Sequence, residues 1–555
     1  MNFKEITKTQ WGFALVLLAA MLITIVLLLQ ETIMIAFPVG DEFALIVESL
    51  DSPVNWVLNG YSNYFRVYDE YFLPYTNFIR PVANFLYFVF SFTPSPMSYQ
   101  LVFVNYLAHS LTCTLIYLLS LSFRNSNSFS LALVTAAFLA PAFWLTPITS
   151  HPSFALDVLA TLFCLLSLAA LLKGYYFFGL LCLLAGVFTK ETALPITLVW
   201  IFFGIQRKSS QTIWFGFLAL SLWFAFRLMA FDSVSGGTYS FNEFTIERLL
   251  IRFSSLATLP LGSFSIQILK DFITDQKLSM DIFYLLVNII AWILSLKIFL
   301  KSKVTLFNLA HFFKNSSDIQ IIFIALIGSI SLYAIIGGSV RFSYLTFALW
   351  LIVLSAVKKS LERSLIVVLF ICSSIVSFPV EKMQVSEVNK FRYDQSKLFV
   401  DFLGASDYSA NTYVFNDFIS GYSQQKYIAT YSGSSSNFFR GSSISIGACN
   451  TTDFNLIRSN LVEDKTGKKL LQIEIPSCAS FQFEGAQTGI ILENIKDKLL
   501  LRNDDVHYRF RDLIIKKSFT GAPLIDFGKH MEVEVSPGTN VLFFDFATNK
   551  WMFHK

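Results

Sequence analysis

The chain has 555 residues, of which 54% are hydrophobic and 14% charged, and its formal net charge is only +4. Its mean hydropathy of +0.57 lies outside the usual range for soluble domains, so lipid is the solvent implied for most of the chain. The small basic excess is scattered, with no Lys/Arg stripe interleaved with aromatic residues, which excludes nucleic acid as a partner.

A membrane span needs ~20 mostly apolar residues, and the first such run covers residues 12–37. It is too long for the apolar region of a signal peptide, and no small-residue cleavage site follows it, so a retained first helix is expected. Further apolar runs lie at 99–123, 129–149, 153–172, 175–189, 192–205, 212–231, 282–300, 319–336, 342–357 and 364–379. The expectation is a polytopic α-helical membrane protein with about 11 spans, counted on that length criterion, over residues 1–380. Sixty Phe residues suit a bilayer core, which accepts the ring at little cost while it packs helix against helix.

With the N-terminus cytoplasmic, Lys4, Lys8, Arg124, Lys173, Arg207, Lys208, Lys301, Lys303, Lys358, Lys359 and Arg363 all fall on the cytoplasmic side, as the positive-inside rule requires. The same threading leaves 38–98, 150–152, the neighbourhood of 190, 232–281, 337–341 and 381–555 outside. The first outer loop, 38–98, holds NWVLNGYSNYF and NFLYFVFSF, segments expected as short amphipathic helices in the interface plane.

From residue 381 the apolar runs shorten and alternate, as in LLQIEIP, FQFEG, HYRFRDLIIKK, MEVEVSPG and VLFFDFATNKWMF. A β-rich extracytoplasmic domain over 381–555 is therefore expected, interrupted by a Ser/Gly-rich loop, YSGSSSNFFRGSSISIG. Cys113, Cys164, Cys182 and Cys372 lie in apolar runs and read as small buried side chains. Cys449 and Cys478 read either as a disulfide in an oxidising compartment or as two buried thiols.

The polar residues that stand out gather at the outer ends of the spans. Asp41 and Glu42 follow the first helix in FPVGDEF, and read either as solvated carboxylates or as a general base at the mouth of a cavity. Arg80, in NFIRPVANF, has an apolar setting in which a guanidinium seeks an anion, either Asp69 or Glu70 or a phosphate. His151 and Pro152 precede Asp157, an acid expensive to bury in a span and so expected to face a polar cavity or a basic partner. Lys190 and Glu191, in GVFTKETALP, are either a self-paired turn or a cation for an anionic ligand with an orienting acid. Arg341, in GGSVRFSYLTF, adds an outward cation; Arg227 and Asp232 are read as pairing with each other. No GxGxxG, Walker loop or HExxH occurs, so nucleotide use and zinc hydrolysis lack their usual marks.

This pattern resembles the GT-C superfamily of polyprenyl-phosphate-sugar-dependent glycosyltransferases, which includes protein O-mannosyltransferases and bacterial lipid A aminoarabinose transferases. The resemblance is carried by Asp41-Glu42, the Arg80-Pro81 step, the His151-Pro152 step, the Lys190-Glu191 turn and the RFSY segment from Arg341 to Tyr344, over residues 10–360. The chain departs from the O-mannosyltransferase-like pattern where an acid follows the HP proline by four residues: that position is Leu156, and the acid is Asp157.

The resemblance implies transfer of a sugar, a hexose such as glucose, from a polyprenyl-phosphate carrier to a hydroxyl of a glycan or lipid-linked acceptor, with inversion, as in O-antigen decoration at a bacterial inner membrane. Asp41, or Glu42, would be the base. Arg80, His151, Lys190 and Arg341 would hold the donor phosphate, with Asp157 and Glu191 in support. No cofactor is expected, although some relatives hold Mg²⁺ or Mn²⁺ on such acids. The rival readings are a lipid or glycan flippase or transporter, an O-antigen polymerase or ligase, and a scaffold or receptor.

Overall fold

In a computed structural model the structure describes residues 7–34, 80–91, 97–123, 127–139, 155–231, 280–300, 317–336, 343–369 and 371, together with strands between 412 and 554. The described helices fall in one compact unit and the described strands in another.

The helices are α1 (Lys8–Met34), α2 (Pro81–Ser91), α3 (Met97–Phe123), α4 (Asn127–Leu139), α5 (Ala155–Lys173), α6 (Tyr176–Thr189), α7 (Leu194–Arg207), α8 (Ser210–Phe231), α9 (Met280–Leu300), α10 (Asp318–Ile336) and α11 (Ser343–Ser355). Residues 360–369 are also helical. Each apolar run of the sequence that the structure describes is helical. Four stretches are long and apolar enough to cross a membrane: Lys8–Ile25, Phe103–Phe123, Leu156–Lys173 and Ser210–Leu228. The chain is thus mostly helical among the described residues, with four candidate membrane-spanning helices and shorter apolar helices such as Tyr176–Thr189.

Burial sorts these helices. The apolar stretch of α1 is 17% buried and that of α3 is 83% buried, so α3 is interior and α1 peripheral. Trp11, Leu15 and Leu27 on α1, and Trp214 and Phe217 on α8, are exposed. Side chains of this kind are what a lipid-facing surface presents.

The helix α11 is buried on every side, from Tyr344 to Leu354. Polar side chains tie it to three different neighbours. Tyr344 Oη lies 2.6 Å from His109 Nδ1 on α3, Thr346 Oγ1 lies 2.9 Å from Ser329 Oγ on α10, and Trp350 Nε1 donates to Ser295 Oγ on α9 at 2.7 Å. A similar bond, Trp200 Nε1 to Ser167 Oγ at 2.9 Å, joins α7 to α5. Between apolar helices in lipid, where water supplies no drive to associate, bonds of this kind and close van der Waals packing set the partners.

The stretch α5–α8 is four consecutive helices joined by short connections. α5 and α7 each end in a left-handed residue, Gly174 at φ 84° and Lys208 at φ 53°. In each case the next amide reaches back to an orphan carbonyl, Tyr175 to Ala170 and Ser209 to Gly204, both at 2.9 Å. The packing of α8 on α7 also needs glycine. A Cβ on Gly216 would meet Ile201 at 2.7 Å and the Thr197 carbonyl at 2.9 Å, so the two backbones touch as small residues allow.

At the end of the bundle where Arg207 and Lys208 lie, Arg207 pairs with Asp318 at 3.4 Å and Lys297 with Glu362 at 2.5 Å. Helix starts there carry side-chain caps. Thr7 and Gln10 bond reciprocally to each other's amides at the start of α1, and Gln320 accepts from the Ser317 amide at 2.7 Å at the start of α10. The Gln320 amide also donates to the Phe299 carbonyl at the end of α9 at 2.8 Å, satisfying a terminal orphan acceptor of a second helix.

In the strand-bearing unit, Arg458–Glu463, Lys469–Glu474, His530–Val535 and Val506–Phe510 form an antiparallel sheet in that order. Ser445–Gly447, Ser480–Glu484, Pro523–Asp526 and Ile514–Lys517 form another. Thr412–Phe415 pairs in parallel with Asn540–Asp545, which pairs antiparallel with Lys550–His554. The alternating segments of the sequence are these strands. One expectation is corrected: the end of the Ser/Gly-rich stretch, read as loop, is the strand Ser445–Gly447, whose register against Ser480–Gln482 supplies backbone partners that composition does not reveal.

Replacing Gly216 with Leu is expected to destabilise the α7–α8 hairpin by about 1–3 kcal/mol through overpacking against Thr197 and Ile201, while Gly12→Leu, where open space surrounds the Cα, leaves stability unchanged. Thermal unfolding of the purified protein in detergent measures both; an unaffected Gly216 variant would deny the close approach.

Candidate functional site

The described parts of the bundle hold two buried ion pairs that meet at one break in the helical ladder. α6 stops at Thr189, and Lys190 takes an extended conformation, φ −160° and ψ 139°. A 3₁₀ turn, Glu191–Ala193, leads into α7, with Pro195 in its first turn. Pro195 suits this entry because its missing N–H is one that a first helical turn would leave without a partner. The Lys190 amide still closes onto the Gly186 carbonyl at 3.0 Å, and Ala193 onto Lys190 at 3.1 Å, so the break keeps its backbone bonds.

An extended residue sends successive side chains to opposite sides, and here that separates Lys190 from Glu191. Lys190 Nζ reaches Asp157 Oδ2 at 2.5 Å, in the first turn of α5. Glu191 takes Arg80, the residue just before α2, through two bonds: Arg80 Nη2 to Oε1 at 2.7 Å and Arg80 Nε to Oε2 at 3.2 Å. Of the two readings of Lys190 and Glu191, the self-paired turn is not what forms: Lys190 pairs with Asp157 and Glu191 with Arg80. The side chains of Lys190 and Asp157 are 5% and 3% exposed, those of Arg80 and Glu191 8% and 13%.

Burial by itself pushes the Glu191 carboxyl up, but the Arg80 guanidinium, by charge and by hydrogen bond, and the charge of Lys190 outweigh it and hold the group below the usual glutamate range. Among the described residues two cations face two anions, and pairing of this kind is how ionised groups persist away from water.

Four residues singled out in the sequence, Arg80, Asp157, Lys190 and Glu191, are therefore brought together. Asp41, Glu42, His151 and Arg341 lie outside the described residues, as do Asp69, Glu70, Asp232, Cys372, Cys449 and Cys478. Arg227 is buried, its guanidinium 5.5 Å from the centroid of the Trp223 ring. Cys113, Cys164 and Cys182 are buried free thiols, and no cluster of three metal-type ligands occurs among the described residues.

Sequence reasoning missed His109. It is fully buried against Tyr344, with the rings edge to face at 6.0 Å. The signal was there: Asn105, His109 and Thr112 recur at helical spacing in the otherwise apolar run of α3, and an ionisable residue in such a run marks a site by default.

The chain matches no known family model, no curated protein and no solved structure.

Removing one partner of the buried Lys190–Asp157 pair should be costly. Lys190→Met and Asp157→Asn are each expected to cost about 3–5 kcal/mol, whereas the Lys190→Met/Asp157→Leu double variant should lose much less than the sum of the single changes. Thermal unfolding in detergent tests this, and strict additivity would refute the coupling. Glu191 predicts a pH effect as well. Its stabilising contribution is complete above the ordinary glutamate value of about 4.3 and disappears as pH falls through its lower folded value, which acid-limb unfolding curves would record.

Proposed function

We propose that the chain is a membrane glycosyltransferase that moves a sugar from a polyprenyl-phosphate carrier to a hydroxyl of a glycan or lipid-linked acceptor at the outer face of the membrane. The observation that carries the reading is the buried double ion pair. Ionised groups buried away from water are expensive, and Arg80, Lys190 and Glu191 belong to the motifs that carry the resemblance to the GT-C superfamily.

In this reading the helical unit has about 11 spans, as the length criterion counts them, with a cytoplasmic N-terminus, in a bacterial inner membrane, and the strand-bearing unit lies on the outer side. Asp41, with Glu42 as its alternative, accepts the proton of the attacking hydroxyl as it displaces the phosphate from the anomeric carbon with inversion. Arg80, His151, Lys190 and Arg341 stabilise the charge that grows on the leaving phosphate. Asp157 keeps Lys190 ionised, immobile and aimed before substrate arrives, and Glu191 keeps Arg80 ionised until the donor phosphate takes its place. No metal is required, because the side-chain cations can neutralise the phosphate.

The deciding experiment supplies membranes containing the protein with a radiolabelled polyprenyl-phosphate hexose and compares the wild type with Asp41→Asn at matched expression. Loss of the base is expected to lower transfer by about 10²-fold or more with donor binding intact. Normal transfer in Asp41→Asn would move the base to Glu42. Movement of intact lipid-linked sugar between leaflets, with no transfer by the wild type, would replace the enzyme with a flippase.

A further inference from the structure

From the double ion pair we infer that Glu191 is a built-in competitor for an anionic ligand at Arg80, occupying the guanidinium face that a phosphate would take and yielding it when a phosphate-bearing lipid binds. This inference rests on the reading of Arg80 as a phosphate-binding residue, and it adds the mechanism by which the site is kept closed.

Three features carry it. The first is geometric: Glu191 engages Arg80 through both Nε and Nη2. That is the two-point arrangement a guanidinium offers to carboxylate and phosphate alike, so the two anions compete for the same atoms. The second is electrostatic. Among the described residues, Glu191 and Asp157 already sit on Arg80 and Lys190, so an approaching phosphate is repelled by these carboxylates until one of them withdraws.

The third feature decides which carboxylate withdraws. Asp157 sits within the first turn of α5, nearly inaccessible and 2.5 Å from Lys190. Glu191 has a longer side chain, stands in a three-residue 3₁₀ turn and is the most exposed member of the cluster. Rotation of the Glu191 side chain frees the guanidinium edge without moving a helix, whereas Asp157 can leave only by uncovering Lys190. Asp157–Lys190 is therefore the anchor and Glu191 the movable group.

The test uses the purified full-length protein in detergent and measures binding of a polyprenyl monophosphate by the ligand-induced rise in thermal unfolding temperature and by titration calorimetry. Glu191→Gln is expected to lower the unfolding temperature in the absence of ligand and to bind the polyprenyl monophosphate about tenfold more tightly than the wild type. The bound lipid should then restore much of the lost stability. Glu191→Asp keeps the charge on a side chain one methylene shorter, so it should fold even if the glutamine variant does not and should show an intermediate gain.

The gain should vanish in Arg80→Gln/Glu191→Gln. Inorganic phosphate should reproduce part of the gain if the headgroup alone is recognised. Affinity in Glu191→Gln equal to or weaker than the wild type, an equal gain with neutral polyprenol, or a gain that survives removal of Arg80 would each overturn the inference. Binding is read without any sugar, so tighter phosphate binding with no sugar transfer would sink the transferase reading and leave this one standing.

Discussion

The extended backbone at Lys190 is the constraint on which the rest of the site depends. In a continuous helix Lys190 and Glu191 would project about 100° apart, on neighbouring faces. Extended, they diverge to opposite sides, and one short break contacts α5 through Lys190–Asp157 and the segment entering α2 through Arg80–Glu191. Two segments far from residue 190 in sequence are thereby tied to one turn. The charges themselves supply the cohesion, because each would be costly in this setting without its partner.

The remainder of the helical unit is arranged to hold that turn still. α5 and α6 form one tight hairpin and α7 and α8 another, and the break joins the two. α11, buried on all sides, is bonded by Tyr344, Thr346 and Trp350 to α3, α10 and α9. A helix fastened to three neighbours has little freedom to rotate.

Much of the helical pattern was legible because apolar runs in a lipid-solvated chain are bounded by charge and by turn residues. Apart from α2, which lies in the first outer loop where a short helix was expected, the described helices start within a few residues of those runs, and Lys190 and Glu191 were recognisable as a polar turn between two of them. The alternating segments near the C-terminus were equally readable as strands, because a period of two is the mark of a half-buried strand. The strand Ser445–Gly447 was not, since its existence depends on a distant partner, Ser480–Gln482. His109 was also passed over, being a single polar residue whose meaning lies in Tyr344, 235 positions away.

Composition and periodicity alone therefore pointed to the apolar helical segments and to the short list of ionisable residues that are expensive to bury. They could do so because the cost of burying a charge or an unpaired backbone group is local and is written into residue type. The pairing was decided only by tertiary structure. The sequence left Lys190 and Glu191 open between a self-paired turn and a ligand-facing pair, and Arg80 open between Asp69 or Glu70 and a phosphate, whereas the folded chain pairs Lys190 with Asp157 and Arg80 with Glu191. Which charge neutralises which depends on how helices distant in sequence pack and on the backbone angle of one residue, and neither is contained in the residue types themselves.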